Sequence, residues 1–431
     1  MSFNTADHAI YLPAVNAIYA NYVAKTLAPA SRQLPQGLDV SDLAFWERGN
    51  KLFHYPYVLH SIGQFGVGST INNALTQAGR TDRFLVGDSG GYQIGSGTLS
   101  GFKALHEGMS AEDAQDAWDS AYELKTWIIG WLDTYTHYAM TLDMPLWAVN
   151  NPKSPFHQCS IKQLTDMTVD NLEFIELHMT GRAKWLNVVQ GLDEATTRDW
   201  WNAIKWFKHG GWALGGNAGN DGGLAQVLRT VLLMHHDDGD AFAAGQDWLH
   251  ILGVSEIKWA IASTALQQCL RKINPKITVS YDSASPFQEA GVYEVAAIPP
   301  QFTNDPDTWR IRKTLSTDIQ GPQFVSSKAP FPVSSPIGKR MTMGDLNANG
   351  YKFAMKQFDT TSNMLLVNHN VWVYLDAFER ANNAAFGADA KKLVPAAYLD
   401  GIEIMQEAFD RPDWHQFIAK NQSRLDDFDK T

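Results

Sequence analysis

Three aspartates and a glutamine each close a short apolar run: Asp88 after Phe84 to Val86, Asp143 after Ala139 to Leu142, Gln190 after Trp185 to Val189, and Asp282 after Ile277 to Tyr281. Gathered together, these groups suit a polar, planar, donor-rich molecule. Guanine has that character, because its N1–H and N2 amino group donate to a carboxylate while O6 accepts from a backbone N–H or a Gln190 amide. Two carboxylates then remain to act on a glycosidic bond, one as nucleophile and one as acid/base, as in a retaining glycosidase. Gly90 and Gly91 let a flat ligand approach the backbone, Tyr92 offers a ring to stack on it, and Leu252 offers a second apolar face. Each position also has an ordinary reading. Asp88 and Asp282 could cap turns, Asp143 before Met144-Pro145 could do the same, and Gln190 could bond loop backbone. Their joint occurrence favours a site.

The elements that must position these residues alternate along the chain. Ile10 to Val15, Tyr57 to Gly63, Phe84 to Val86, Ala139 to Pro145, Trp185 to Gly191, Trp212 to Gly216, His250 to Val254 and Ile277 to Asp282 read as strands ending in glycine or a polar residue. Between them the apolar spacing predicts a long helix from Ser110 to Trp131, then helices over Asn171 to Met179, Asp193 to His209 and Leu224 to His235, and one capped by Ser255 that runs to Lys272. Such alternation predicts an α/β fold, a (β/α)8 TIM barrel whose strand ends share one mouth. A doubly wound open sheet is the runner-up, but no G-x-G-x-x-G follows the first strand. The expected organisation is a barrel over 1–292, a proline-rich basic insertion over 293–350, and a helical part over 351–431 that completes the barrel. That last part includes helices over Met364 to Phe378 and near Pro395 to Phe409.

Composition narrows the setting. A charged fraction of 19% and a hydrophobic fraction of 45% suit a soluble enzyme. No leader and no run of about 18 apolar residues is evident, so a cytoplasmic location without membrane contact is expected. Cys159 and Cys269 are too few and too far apart for a disulfide framework or a cysteine zinc site. The net charge of -11 argues against nucleic-acid binding over the whole surface. Its distribution is uneven, however. Arg310, Arg312, Lys313, Lys328, Lys339, Arg340, Lys352 and Lys356 face only Asp318 and Asp345 in the same stretch. These residues form a candidate phosphate-binding surface, with a solvated loop as the plain alternative. The tryptophans at 200, 201, 206 and 212 read as helix packing, and His235-His236-Asp237-Asp238 reads as a solvated helix end rather than a metal patch.

FLVGDSGGYQ, MTLDMP, NVVQG, WALGGNAG, LHILGV and TVSYD occur in the order and approximate spacing of the tRNA-guanine transglycosylases. The chain resembles a divergent member over residues 84 to 286, with a fainter echo from Leu365 to Leu375. The resemblance implies that Asp282 is the nucleophile at the sugar's anomeric carbon and Asp88 the general acid/base. Asp143 would hold the N1 and N2 edge, and Gln190 with the Gly216 N–H would read O6. Ser89, Gly215 and Gly253 would complete the base site, with Tyr92 and Leu252 on its two faces. Leu252 stands where the family carries methionine. Asn217 stands where a backbone carbonyl meets the substituent at position 7 of a 7-deazaguanine.

The chain departs from the family between about 300 and 350, where the tRNA-acting enzymes hold zinc with three cysteines and a histidine. No cysteine or histidine occurs in that stretch, so no metal and no cofactor are expected. The resemblance is therefore greatest to the zinc-less DNA-guanine transglycosylases of bacteriophages and bacterial islands. It implies exchange of guanine in DNA for a 7-deazaguanine, with tRNA as the alternative polymer. A non-catalytic nucleic-acid-binding subunit is the reading of another class, and a nucleoside hydrolase on the same barrel is a further one. Expected partners are DNA and the free base, and a second copy of the chain is a candidate.

Overall fold

The computed structural model describes residues 3–24, 34–237, 240–348 and 358–431. Eight parallel strands form one sheet: β1 (Ile10–Pro13), β2 (Tyr57–Ser61), β3 (Phe84–Asp88), β4 (Tyr138–Met140), β5 (Lys184–Val189), β6 (Gly211–Leu214), β7 (Trp248–Ile251) and β8 (Thr278–Ser283). β1 pairs with β8 through Ile10–Ser280 to Pro13–Ser283. A parallel bridge between Ala14 and Leu59 brings β1 against β2. The sheet thereby curls into a (β/α)8 barrel rather than an open doubly wound sheet.

Side chains alternate along a strand, so every second residue points inward. Tyr57, Phe84, Tyr138 and Trp248 plug the barrel toward the amino-terminal ends of their strands. Phe84 stacks on Trp248 with ring centroids 5.1 Å apart, and Tyr138 packs on Trp248 at 4.6 Å. A middle layer of Leu12, Leu59, Val86, Met140, Leu186 and Ala213 joins this cluster. Two residues beyond Val86 the inward position is Asp88, and two beyond Val188 it is Gln190. The strand period itself aims these polar groups at the open, carboxyl-terminal mouth.

Local signals explain most helices and their corrections. The single long helix expected from Ser110 is two, Ala111–Asp119 and Tyr122–Tyr135, broken at Ala121 with ψ 42°. The first half is tied to a neighbouring helix by Trp118 Nε1 donating to Asn171 Oδ1 at 3.1 Å. The second half packs against β3. The helix expected over Asn171 to Met179 spans Ile161–His178. It starts at a capping box that periodicity missed, in which Ser160 accepts from the Gln163 amide. The helix expected over Asp193 to His209 is capped by Asp193 and spans only Glu194–Ile204, and Glu256 rather than Ser255 stands at the cap of Ile257–Arg271. Trp200, Trp201 and Trp212 are fully buried, and Trp206 alone of the four is exposed.

After β8 the chain forms the helix Ser285–Gly291 and then loops carrying a small antiparallel ribbon, β9 (Ala297–Ile298) with β10 (Arg312–Lys313). The helix Thr360–Ala385 packs against Ser285–Gly291 and Ile257–Arg271, within the outer layer of the barrel. Buried His369 ties it to the loops through the Ser335 hydroxyl at 2.8 Å and the Ala297 carbonyl at 2.9 Å. Helices Ala396–Phe409, Trp414–Lys420 and Gln422–Lys430 follow. The helical turn expected from Tyr351, together with Lys352, Lys356 and Asp238, lies outside the described residues. Among the described residues, no helix is long and apolar enough to cross a membrane.

Candidate active site

The barrel mouth encloses a cavity of about 350 Å³ whose polar lining is Asp88, Asp143, Gln190, Asp221 and Asp282. Its apolar walls are Leu59, Met140, Val188 and Leu252 on the floor and one side, with Tyr92, Pro145 and Trp147 at the rim. Tyr92 is 69% exposed, and its ring centroid lies 5.6 Å from that of Trp147. Gly91, Gly215, Gly216 and Gly253 contribute backbone. A Cβ at Gly215 would stand 3.4 Å from Leu252 and 3.5 Å from Val188, so the missing side chain leaves a slot between apolar walls.

Asp88 ends β3. Gly90, with φ +84°, turns its amide back to within 3.3 Å of Asp88 Oδ1. The glycine is required for backbone reasons, since a Cβ there would lie 2.8 Å from Gly63 Cα. Gly91, not Gly90, is the residue that opens onto the cavity. Burial raises the Asp88 carboxyl above its ordinary value and the nearby Asp282 charge adds to this, while the Ser61 hydroxyl and Gly90 amide act in the opposite direction.

Asp143 lies three residues past β4. Burial, reinforced by the charge of Asp88, pushes its carboxyl up to about 7. Gln190 Nε2 donates to Asp143 Oδ2 and to the Met144 carbonyl, and Gln190 Oε1 accepts from the Leu146 amide at 2.9 Å. Both amide protons of Gln190 are thus engaged. The expectation that Gln190 reads O6 gives way to a role in holding Asp143. The Gly216 N–H has no partner among the described residues and is left as the donor on that side.

Asp282 is buried. Its Oδ1 lies 2.8 Å from the Gly253 amide and 3.2 Å from His250 Nε2. Oδ2 has no hydrogen-bond partner among the described residues and so presents a free lone pair. A carboxylate oxygen left open beside a twin that the Gly253 amide holds is able to act as a nucleophile at a sugar carbon.

Two expected members fall outside the lining. The buried Ser89 hydroxyl donates to the Thr141 carbonyl at 3.0 Å, pinning the end of β3 to the β4 loop. Asn217 turns its side chain to the Leu192 carbonyl. The basic residues are likewise not one cluster. Arg310, Arg312 and Lys313 are exposed on or beside the ribbon, and Arg310 and Lys313 share a cleft with Ser255, which follows β7. Lys313 pairs with Glu289 at 2.9 Å, and Arg310 with Asp307 at 3.7 Å. Arg340 instead bonds the Lys51 carbonyl, in the loop leading into β2, with Lys339 beside it; Lys328 is exposed in the same insertion.

Residues missed from sequence include Leu59, Val188 and His250, legible afterward as inward positions two residues from a site residue on their own or an adjoining strand, and Met140, which stands level with Asp88 on the next strand. Trp147 and Asp221 sit on the short 3-10 turns Leu146–Asn150 and Asn220–Gly222 and carry no periodic signal. No protein-family model matches the chain, and no curated protein matches it.

Proposed function

We propose that this cavity is the active site of a base-exchange transglycosylase that replaces guanine in DNA with a 7-deazaguanine through an aspartyl-glycosyl intermediate. The observation that carries the reading is the convergence of Asp88, Asp143 and Asp282, from three different strand ends, on one slot with apolar walls. Asp143 as carboxylate accepts from N1–H and the N2 amino group, and the Gly216 N–H donates to O6. Leu252 and Tyr92 cover the two faces of the ring.

In the first half-reaction Asp282 Oδ2 attacks C1′ of the deoxynucleotide while the C1′–N9 bond breaks and its electron pair leaves with guanine. Asp88, its carboxyl raised by burial, supplies the proton that guanine takes. In the second half the incoming base loses its N9 proton to Asp88, N9 attacks C1′, and Asp282 departs as carboxylate. Protons and charges balance over the cycle, and no cofactor enters it. Drawing a nucleotide from a duplex costs a few kcal/mol, which phosphate contacts near Arg310, Arg312 and Lys313 would offset.

DNA is preferred to tRNA because residues 300–350 contain neither the cysteines nor the histidine of the tRNA-acting zinc subdomain. Labelled guanine or 7-cyano-7-deazaguanine offered with duplex DNA, with tRNA and without polymer tests the proposal. Incorporation into DNA is expected. Incorporation into tRNA alone would change the polymer, and none into either would leave a binding module as the better reading.

A further inference from the structure

His250 and Ser280 are adjacent in the β7–β8 register and both point into the barrel, where neither is exposed to solvent. Trp248, one inward position below His250, donates its Nε1–H to Ser280 Oγ at 2.7 Å. Ser280 Oγ is also 2.9 Å from His250 Nδ1, and His250 Nε2 is 3.2 Å from Asp282 Oδ1. The chain Trp248–Ser280–His250–Asp282 therefore climbs from the aromatic plug to the cavity.

Its proton arrangement follows from the donors present. Indole N–H can only donate, so one lone pair of Ser280 is taken. The single Ser280 O–H then needs an acceptor, and among the described residues only His250 Nδ1 is within reach. With Nδ1 accepting, the ring's proton sits on Nε2 and points at Asp282 Oδ1. The opposite tautomer would set an imidazole lone pair against a carboxylate lone pair and leave the Ser280 proton without an acceptor, at a cost of about 1 to 3 kcal/mol for each buried group left unpaired.

We propose that His250 is the positioning residue for Asp282, locked as its Nε2–H tautomer by Ser280 and Trp248. With Gly253 it fixes Oδ1, so that Oδ2 alone faces the sugar. The role of Asp282 as nucleophile is taken from the preceding section; the tautomer lock is independent of it. A plain packing role for His250 would demand only its shape.

Nitrogen-15 NMR of histidine-labelled protein is expected to show His250 Nε2 protonated and Nδ1 bare, and Ser280→Ala to mix the tautomers. In single-turnover trapping of the sugar adduct on DNA, His250→Leu is expected to slow adduct formation roughly ten- to a hundredfold, the worth of one charge-assisted hydrogen bond. Guanine binding should stay within a fewfold of wild type. His250→Gln, which keeps an amide donor near the Nε2 position, should restore most of the rate. A protonated Nδ1 in the wild type would overturn the proposal. So would an unchanged adduct rate in His250→Leu, or a His250→Gln rate no better than that of His250→Leu in a folded protein that binds guanine. A wild type that forms no adduct yet shows the Nε2–H signature would overturn the transglycosylase reading and leave the lock standing.

Discussion

Gln190 holds Asp143 from the side, donating through Nε2 to Asp143 Oδ2 while its own Oε1 is fixed by the Leu146 amide at 2.9 Å. The carboxamide is a bracket for a carboxylate rather than a free reader of the ligand. Gln190→Leu removes the bracket and leaves a buried carboxylate without its side-chain donor. Guanine affinity, measured by calorimetry, is expected to fall by about 1.5 to 3 kcal/mol, the worth of a hydrogen bond to a charged group.

The burial that pushes Asp143 up to about 7 sets a pH window. In the proposed reaction guanine would present donors to this residue, so the ionised form is the one expected to bind it. Affinity should be full well above pH 7 and fall about tenfold per unit below it, with a proton released on binding near neutrality. Calorimetry in buffers of different ionisation enthalpy reads that proton. For stability the sign is opposite, because a raised carboxyl favours the folded state only when protonated. The contribution is lost as pH rises from 3.8, the ordinary value, through about 7. Asp143→Asn should therefore raise the melting temperature more at pH 8 than at pH 4.

Asp282→Ala is expected to abolish the proposed covalent sugar adduct while leaving binding of the free base nearly intact, since in the proposed reaction the base and the sugar would be held from different strand ends. Denaturing electrophoresis of protein mixed with DNA reads the adduct. Its persistence in this variant would move the nucleophile to another residue.

Gly90 and Gly63 meet backbone to backbone, with a Cβ on either 2.8 Å from the other's Cα. Gly63→Ala must push the Gly90 turn outward and displace the amide that faces Asp88. A loss of about 1 to 3 kcal/mol in denaturant unfolding is expected, as for an overpacked interior site, with exchange activity falling further than stability.

Neutralising Arg310, Arg312 and Lys313 together tests the ribbon as a DNA-binding surface. The slope of log affinity against log salt should flatten by roughly 0.9 for each phosphate that these side chains no longer neutralise. Neutralising Lys339 and Arg340, beside the loop into β2, should leave that slope nearer wild type.

Much of this architecture was legible in the chain because it depends on short-range chemistry. Apolar runs stopped by glycine or a polar residue marked all eight strands, and period-two alternation placed Asp88 and Gln190 on the inner face. Helix boundaries were less legible. The helices on both sides of Ala121 pack on Ile161–His178 and only the second also meets β3, and no residue in the break announces it.

By itself the sequence determined that Asp88, Asp143, Gln190 and Asp282 close their strands at one end of the barrel, since a strand and its terminal turn are settled by neighbours along the chain. Only the tertiary structure decided how those side chains share their protons. It turned the Ser89 hydroxyl away, engaged both amide protons of Gln190, put Trp147 and Asp221 at the rim, and set His250 beneath Asp282. The reason is physical: a hydrogen bond between groups dozens of residues apart depends on strand register and on the few donors left unpaired inside a closed barrel, and neither is written in local sequence.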